Sequence, residues 1–227
     1  MTGAPVPQLD VEIWSDVVCP WCYIGKRRFE QALRELEGEI SVHVTYRAYQ
    51  LDPSAPPGST MPVIEAYARK FGGTEKAQQM IDRVTETAAT DGLKFKLDIA
   101  QRANTLLAHR LLWWADQPES PVSQDAMNER LLRAYFIDGL NIGDVNTLAG
   151  CAADVGFDRA SAMGFLESGA GAGEVAAQIS AAGDLDITAV PTFVINRQWA
   201  VPGAQESDTF VSVLRRAAAR TTDDAQG

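Results

Sequence analysis

Cys19-Pro20-Trp21-Cys22 sits where an apolar, strand-like run (Leu9, Val11, Ile13, Trp14) gives way to a helix-like one. This junction limits the possible folds more than any other feature of the chain. In the first turn of a helix four backbone N–H groups have no intrahelical partner, and the aligned peptide dipoles favour negative charge. A cysteine placed there is biased toward thiolate. Cys19 occupies that position and is expected to be the exposed, attacking thiol. Cys22, one turn further in, can reach back to Cys19 while shielded from other molecules, as a resolving thiol must.

The flanking pattern supplies the frame. Residues 9–15 read as a strand and 20–37 as a helix, with Phe29, Leu33 and Leu36 at helical spacing and Gly38 as the stop. Residues 40–50 alternate (Val42, Val44, Tyr46, Ala48) as a second strand. A right-handed crossover would make the two strands parallel. Pro53, Pro56, Pro57 and Gly58 then break regular structure. Helical patterns follow over 62–71, 74–90, 101–116 and 121–138, the last with Ser120 as N-cap and Pro121 at the first helical position. Shorter helices are expected after Asp144, Asp158 and Gly173. Strand chemistry returns at 192–195, a hairpin turn at Asn196-Arg197-Gln198 leads to a return strand over 199–201, and a last helix carries Phe210, Val211 and Leu214. The order is β-α-β, a helical insertion, then β-β-α. Without the insertion this is the order of a thioredoxin fold.

Composition narrows the function classes. With 30 acidic against 20 basic residues the formal net charge is -10, which argues against nucleic acid or an anionic membrane as a partner. The segment from Met1 to Asp10 has neither a basic nor an apolar leader region, and no later run approaches a bilayer-spanning length. The expected location is the cytoplasm. Three cysteines are too few for a disulfide framework, and in a reducing compartment a close pair points to catalysis or metal binding. Outside the pair only Cys151, His43 and His109 could complete a zinc site, and their scatter lacks the paired spacing zinc sites show. No metal is expected.

Further motifs carry a resemblance. The run Trp14-Ser15-Asp16-Val17-Val18-Cys19-Pro20-Trp21-Cys22-Tyr23-Ile24-Gly25, together with Arg102-Ala103-Asn104-Thr105, Ala108-His109-Arg110-Leu111, Ala134-Tyr135-Phe136, Asn141-Ile142-Gly143-Asp144 and Val190-Pro191-Thr192-Phe193, resembles DsbA-like oxidoreductases of the FrnE type. The resemblance spans about residues 9–214. It implies an α/β thioredoxin fold with a large all-helical insertion, divided as 9–52 (first part of the thioredoxin domain), 60–184 (helical insertion) and 185–220 (second part). It also implies thiol-disulfide exchange or isomerisation with protein or small-molecule disulfides and thiols, by a monomer or homodimer. No cofactor is implied beyond the redox-active disulfide, with glutathione as a candidate co-substrate. Kappa-class glutathione transferases and 2-hydroxychromene-2-carboxylate isomerases share the architecture but normally carry serine where Cys19 stands. The intact pair therefore favours redox chemistry, with a glutathione-dependent isomerase or transferase as the alternative.

Individual residues follow from the same comparison. The family's corresponding proline makes Pro191 a cis residue facing the pair, and a cis bond there would expose the backbone of Val190 to substrate. Pro20 and Trp21 are expected to tune the pair and touch substrate. Asn104, Thr105 and His109 match a motif on a helix lining the cleft, although by pattern alone His109 among leucines also reads as a satisfied core residue. Gly203-Ala204-Gln205 resembles the place where the transferases hold the γ-glutamyl carboxylate, which makes Gln205 a candidate contact. Related oxidoreductases often carry a buried acid six residues before the attacking cysteine, but Ile13 stands there. Asp16 is left with two readings, a charge near the pair or a cap for the helix. Cys151, among glycine and alanines, reads as a small core residue, and Trp113 and Trp114 as core and cleft wall.

Overall fold

The computed structural model describes residues 6–224; residues Met1 to Pro5, the head of the segment read above for a leader, lie outside it. Four strands, β1 (Gln8–Ser15), β2 (Ser41–Ala48), β5 (Thr192–Ile195) and β6 (Trp199–Pro202), form one sheet in the order β2-β1-β5-β6. β1 runs parallel to β2 and antiparallel to β5, with Trp14 opposite Thr192. The helix α1 (Pro20–Glu35) and the last helix α9 (Ser207–Asp224) pack together and against the sheet. Alternation in β1 turns Leu9, Val11 and Ile13 to that side, where they meet Phe29, Phe193, Phe210 and Leu214.

Between β2 and β5 the chain forms α2 (Val63–Phe71), α3 (Thr74–Thr90), α4 (Leu106–Ala115), α5 (Gln124–Phe136), α6 (Val145–Val155), α7 (Arg159–Ser168) and α8 (Ala172–Asp184). Their buried residues form a second core, which takes in Val17, Tyr23 and Ile24 beside the cysteine pair. The start of α1 therefore faces the helical core, while Phe29 and Ala32 further along face the sheet core. A third, smaller cluster joins Trp14, Cys19, Cys22, Ala182, Ile187, Val190 and Val194.

The insertion also shields β2, an edge strand with backbone groups that have no neighbouring strand on one side. Gln124 of α5 accepts from the Tyr46 N–H (2.7 Å) and donates to the Tyr46 carbonyl (3.0 Å). Gln178 of α8 accepts from the Ala48 N–H (3.0 Å). Two glutamine side chains thus take the place of a further strand and blunt the edge. Across the α1–α5 seam the buried Lys26 pairs with Glu30, with Asp125 (2.9 Å) and with Glu129 (3.4 Å). Burial opposes the ammonium charge, yet the Asp125 and Glu30 carboxylates outweigh it and hold the lysine above its ordinary range.

Several expected boundaries move, for local reasons. The helix expected over 101–116 begins at Leu106, because Gln101–Arg102 (β4) pairs with Met61–Pro62 (β3) and the Asn104 carboxamide oxygen accepts from the Leu106 N–H (3.0 Å). The insertion therefore contains one two-residue strand pair among its helices. Ser120 does not cap α5: its hydroxyl donates to the Val122 carbonyl (2.7 Å), and Ser123 accepts from Ala126 N–H instead (3.2 Å). α8 starts at Ala172, after Gly171 at φ 75°, and α1 ends at Glu35, ahead of Gly38. The hairpin turn lies where expected, with Asn196 and Arg197 both at positive φ and Gln198 N–H donating to Ile195 (3.0 Å).

Phe210 ties α9 to the sheet core, its ring centroid 5.2 Å from Phe29 and 4.5 Å from Phe193. Phe210→Ala is expected to cost about 3–5 kcal/mol of unfolding free energy, read by denaturant titration of the oxidised protein.

Candidate active site

Cys19 is the N-cap residue of α1, with extended backbone (φ -85°, ψ 113°), and Pro20 follows in the first helical position, where a missing N–H costs nothing. The Cys22 N–H donates to the Cys19 carbonyl (3.0 Å) and the Cys19 N–H to the Asp16 carbonyl (3.0 Å), so a tight turn precedes the helix. Both thiols are free, and Cys19 Sγ donates to the Val190 carbonyl oxygen at 3.5 Å.

The Val190–Pro191 peptide bond is cis. Pro191 lies against Gly25 of α1, where a Cβ would stand 3.0 Å from the Pro191 ring and 3.4 Å from the Ala204 backbone. Gly25 therefore admits the loop to its present depth. The Pro191 carbonyl accepts from the Gly203 N–H (2.7 Å), which fastens the loop to the end of β6.

The expectation of an exposed Cys19 beside a sheltered Cys22 is corrected here. Cys19 is 3% exposed and Cys22 5%, both within one buried cluster with Trp14, Ile187 and Val190. Surroundings separate the two sulfurs instead. Burial, followed by the hydrogen bond and charge of Cys19, pushes the Cys22 thiol well above its ordinary range, against a smaller lowering by the Asp16 backbone. Trp21, between them, projects outward at 42% exposure.

Asp16 is 1% exposed and does not cap the helix, because its side chain is otherwise engaged. Its Oδ2 accepts from the Leu51 N–H (2.8 Å) and its Oδ1 lies 3.2 Å from His109 Nε2. His109, 2% exposed on α4, also has Nε2 3.0 Å from the Tyr49 carbonyl. Tyr67 of α2, pushed up to about 12 by burial and the Cys19 charge, and Tyr135 of α5, raised by burial and by the Tyr67 and Asp16 charges, complete the surroundings.

The other candidates make contacts of their own. Asn104 precedes α4 and donates to the Ala55 carbonyl (2.8 Å). Gln205 lies before the first turn of α9, not within it, and donates to the Pro202 carbonyl (2.6 Å). Cys151 is buried in α6, where desolvation raises its thiol. Trp114 stacks on Phe157 and Phe165 at 4.2 and 4.6 Å between centroids. The sequence reading missed Arg110, which is buried and donates to the carbonyls of Phe165 (2.7 Å), Leu166 (2.9 Å) and Ala170 (2.7 Å), closing the end of α7. The signal was an arginine on an otherwise apolar helix. Among the described residues no cluster of three or more His, Cys, Asp or Glu could hold a metal ion.

The model of the DSBA-like thioredoxin domain matches residues 10–215. The chain belongs to the DsbA-like thioredoxin family. A probable DsbA oxidoreductase from Streptomyces coelicolor is 34% identical, covering 92% of this chain and 89% of its own, with a TM-score of 0.85. YwbO of Bacillus subtilis is 28% identical over 207 residues, 90% of this chain and 94% of that protein. Two solved structures with lower identity share the fold. A 2-hydroxychromene-2-carboxylate isomerase is 15% identical (94% and 98% of the two chains, TM-score 0.68), and the cytosolic disulfide reductase DsbM from Pseudomonas aeruginosa, in a structure with glutathione, is 16% identical (96% and 100%, TM-score 0.56). This DsbA-like chain thus combines a thioredoxin fold, a helical insertion and a CxxC pair.

Two outcomes follow for the site. Gly25→Val should push the Pro191 loop off α1, costing about 1–3 kcal/mol of stability and slowing reduction of a model disulfide, both measurable on one preparation. The raised Cys22 thiol favours the folded reduced state below the unfolded thiol's value of about 8.5, and this contribution is lost as pH rises above it toward the folded value. Reduced protein should therefore lose stability relative to Cys22→Ser as pH goes from 8 to 10, by denaturant unfolding.

Proposed function

We propose that this protein is a thiol-disulfide oxidoreductase of the FrnE type that works through Cys19 and Cys22. One observation carries the reading: Cys19 Sγ lies at the start of α1 against the Val190 carbonyl. An incoming disulfide segment that pairs with the Val190 backbone would bring its sulfur to Cys19. Cys19 attacks, one substrate sulfur leaves as thiolate, and a mixed disulfide forms. Cys22, kept protonated by its surroundings until then, gives its proton to the departing substrate thiolate and attacks Cys19; the second substrate sulfur leaves as thiolate and the Cys19–Cys22 bond closes. The two electrons given to the substrate come from the thiol pair itself, which is left as the disulfide; a thiol such as glutathione closes the cycle by reducing the pair again while its own sulfur is oxidised to a disulfide.

Its substrates in this reading are protein or small-molecule disulfides, with glutathione as a candidate co-substrate and the cytoplasm as the working compartment. DsbM, a cytosolic disulfide reductase that shares the fold, supports this compartment by analogy. No helix among the described residues is long and apolar enough to cross a membrane. Pro20, Trp21, Val190 and Pro191 form the face that meets substrate, and Trp21 is its exposed apolar element. Asn104, His109 and Gln205 complete the substrate-binding set in this reading, each also holding a backbone carbonyl, of Ala55, Tyr49 and Pro202 in turn.

Cys19→Ser should abolish disulfide reduction. Cys22→Ser should permit attack but not resolution, so a mixed disulfide through Cys19 accumulates and is visible by mass spectrometry under non-reducing conditions. If Cys19→Ser keeps most of the activity, the mechanism is wrong.

A further inference from the structure

We propose that the sheet face turned away from α1 and α9 carries a ligand site of its own, which takes a small apolar molecule bearing a single carboxylate. Alternation in β1 sends Leu9, Val11 and Ile13 to the α1 and α9 side, and therefore Glu12 and Trp14 to the other. The strand register sets Arg47 of β2 opposite Trp14 and Val194 of β5 opposite Glu12, on that same face. α8 packs over part of it, with Ala182 in one buried cluster with Trp14 and Val194. Between α8 and the sheet lies a cavity of about 500 Å³, within the range of about 300–1,000 Å³ usual for small-molecule sites. Its apolar walls are Trp14, Val194, Ala177, Ala181 and Leu185. Neither cysteine lines it, nor does Pro191, so the site stands apart from the proposed exchange face and does not rest on that reading.

The charged residues of the cavity select the class of ligand. On a chain of net charge -10, an anion binds only where a cation is supplied locally. Arg47 is already matched: Glu12 Oε1 accepts from its Nε at 2.8 Å and lies 2.6 Å from its Nη2. Arg197, which also lines the cavity, stands 3.8 Å from the other Glu12 oxygen, and its side chain is 83% exposed. It holds this place at φ 56°, a conformation that glycine adopts at less cost. Its guanidinium is thus the cation that can close on an incoming carboxylate, in the two-pronged geometry arginine offers such groups. Glu174 of α8 lines the same cavity, so a second negative charge on the ligand would meet a like charge. The ligand that fits is a monoanion with an apolar body.

The test titrates the oxidised protein calorimetrically with three probes: cinnamate, its neutral amide cinnamamide, and the diacid para-carboxycinnamate. Cinnamate should bind once per chain, and at least about threefold more tightly than either of the others. Arg197→Gln should weaken cinnamate by about threefold to fivefold and leave cinnamamide within about twofold. The proposal is overturned if cinnamate shows no saturable binding below about 1 mM, or if the amide or the diacid binds as tightly as cinnamate.

A second variant fixes the place. Ala181→Trp fills the cavity from α8 and should abolish binding of all three probes, with the far-UV circular dichroism and the denaturant midpoint close to those of the natural protein. Should that variant fail to fold, Ala177→Trp, at an exposed position that lines the same cavity, makes the same test. Unchanged cinnamate affinity in either folded variant would overturn the proposal. No thiol reacts in these titrations, so their failure and the failure of the exchange reading are separate results.

Discussion

The pairing of β1 with β5 is the constraint on which the rest depends. Trp14 lies opposite Thr192, so the chain leaving β1 toward Cys19 and the chain entering β5 from Val190 meet at one end of the sheet. The register brings together two segments 171 residues apart, and the Cys19–Val190 contact follows from it. Closing so long a loop costs little more than closing a moderate one, because loop-closure entropy grows only logarithmically and each doubling of length adds about 0.6 kcal/mol. A large helical insertion is therefore thermodynamically tolerable between β2 and β5. Its own hydrophobic core offsets the ordering of its residues.

α1 transmits that constraint to the chemistry. Its first turns face the helical core through Tyr23 and Ile24, and its middle faces the sheet core through Phe29 and Ala32, so neither core can shift without moving the thiols. Lys26 links the same helix to α5, and Arg28 links it to Asp91 (3.0 Å) and to the Ala204 carbonyl (3.0 Å). Gly25 sets how close the Pro191 loop may approach. Consecutive residues of one helix thus position the loop, the insertion and the last helix around a single sulfur.

The same arrangement gives two equally buried cysteines different surroundings. The helix start and the Val190 carbonyl act on Cys19, whereas low solvation and neighbouring negative charge keep Cys22 protonated. In the proposed exchange, substrate reaches the pair beside the Val190–Pro191 segment and Trp21, the exposed residue of the motif.

By itself the sequence determined the elements and the chemistry that depend on local order. The CxxC at a strand-to-helix junction, the alternation of β1 and β2, the caps at Asp144 and Asp158 and the hairpin at Asn196 all rest on neighbours within a few residues, and such interactions are legible in a linear pattern. The family resemblance added Pro191 and the place of the insertion. Tertiary structure decided what depends on distant partners: that Asp16 turns from the helix to His109 on α4, that Gln124 and Gln178 satisfy the β2 edge, and that Cys19 is buried in one cluster with Val190 and Ile187. A carboxylate four residues before a helix can cap it or reach a histidine 93 residues away. Which it does is settled by the packing of α4 beside that turn, where the buried carboxylate meets two hydrogen-bond donors, and no local pattern records that packing.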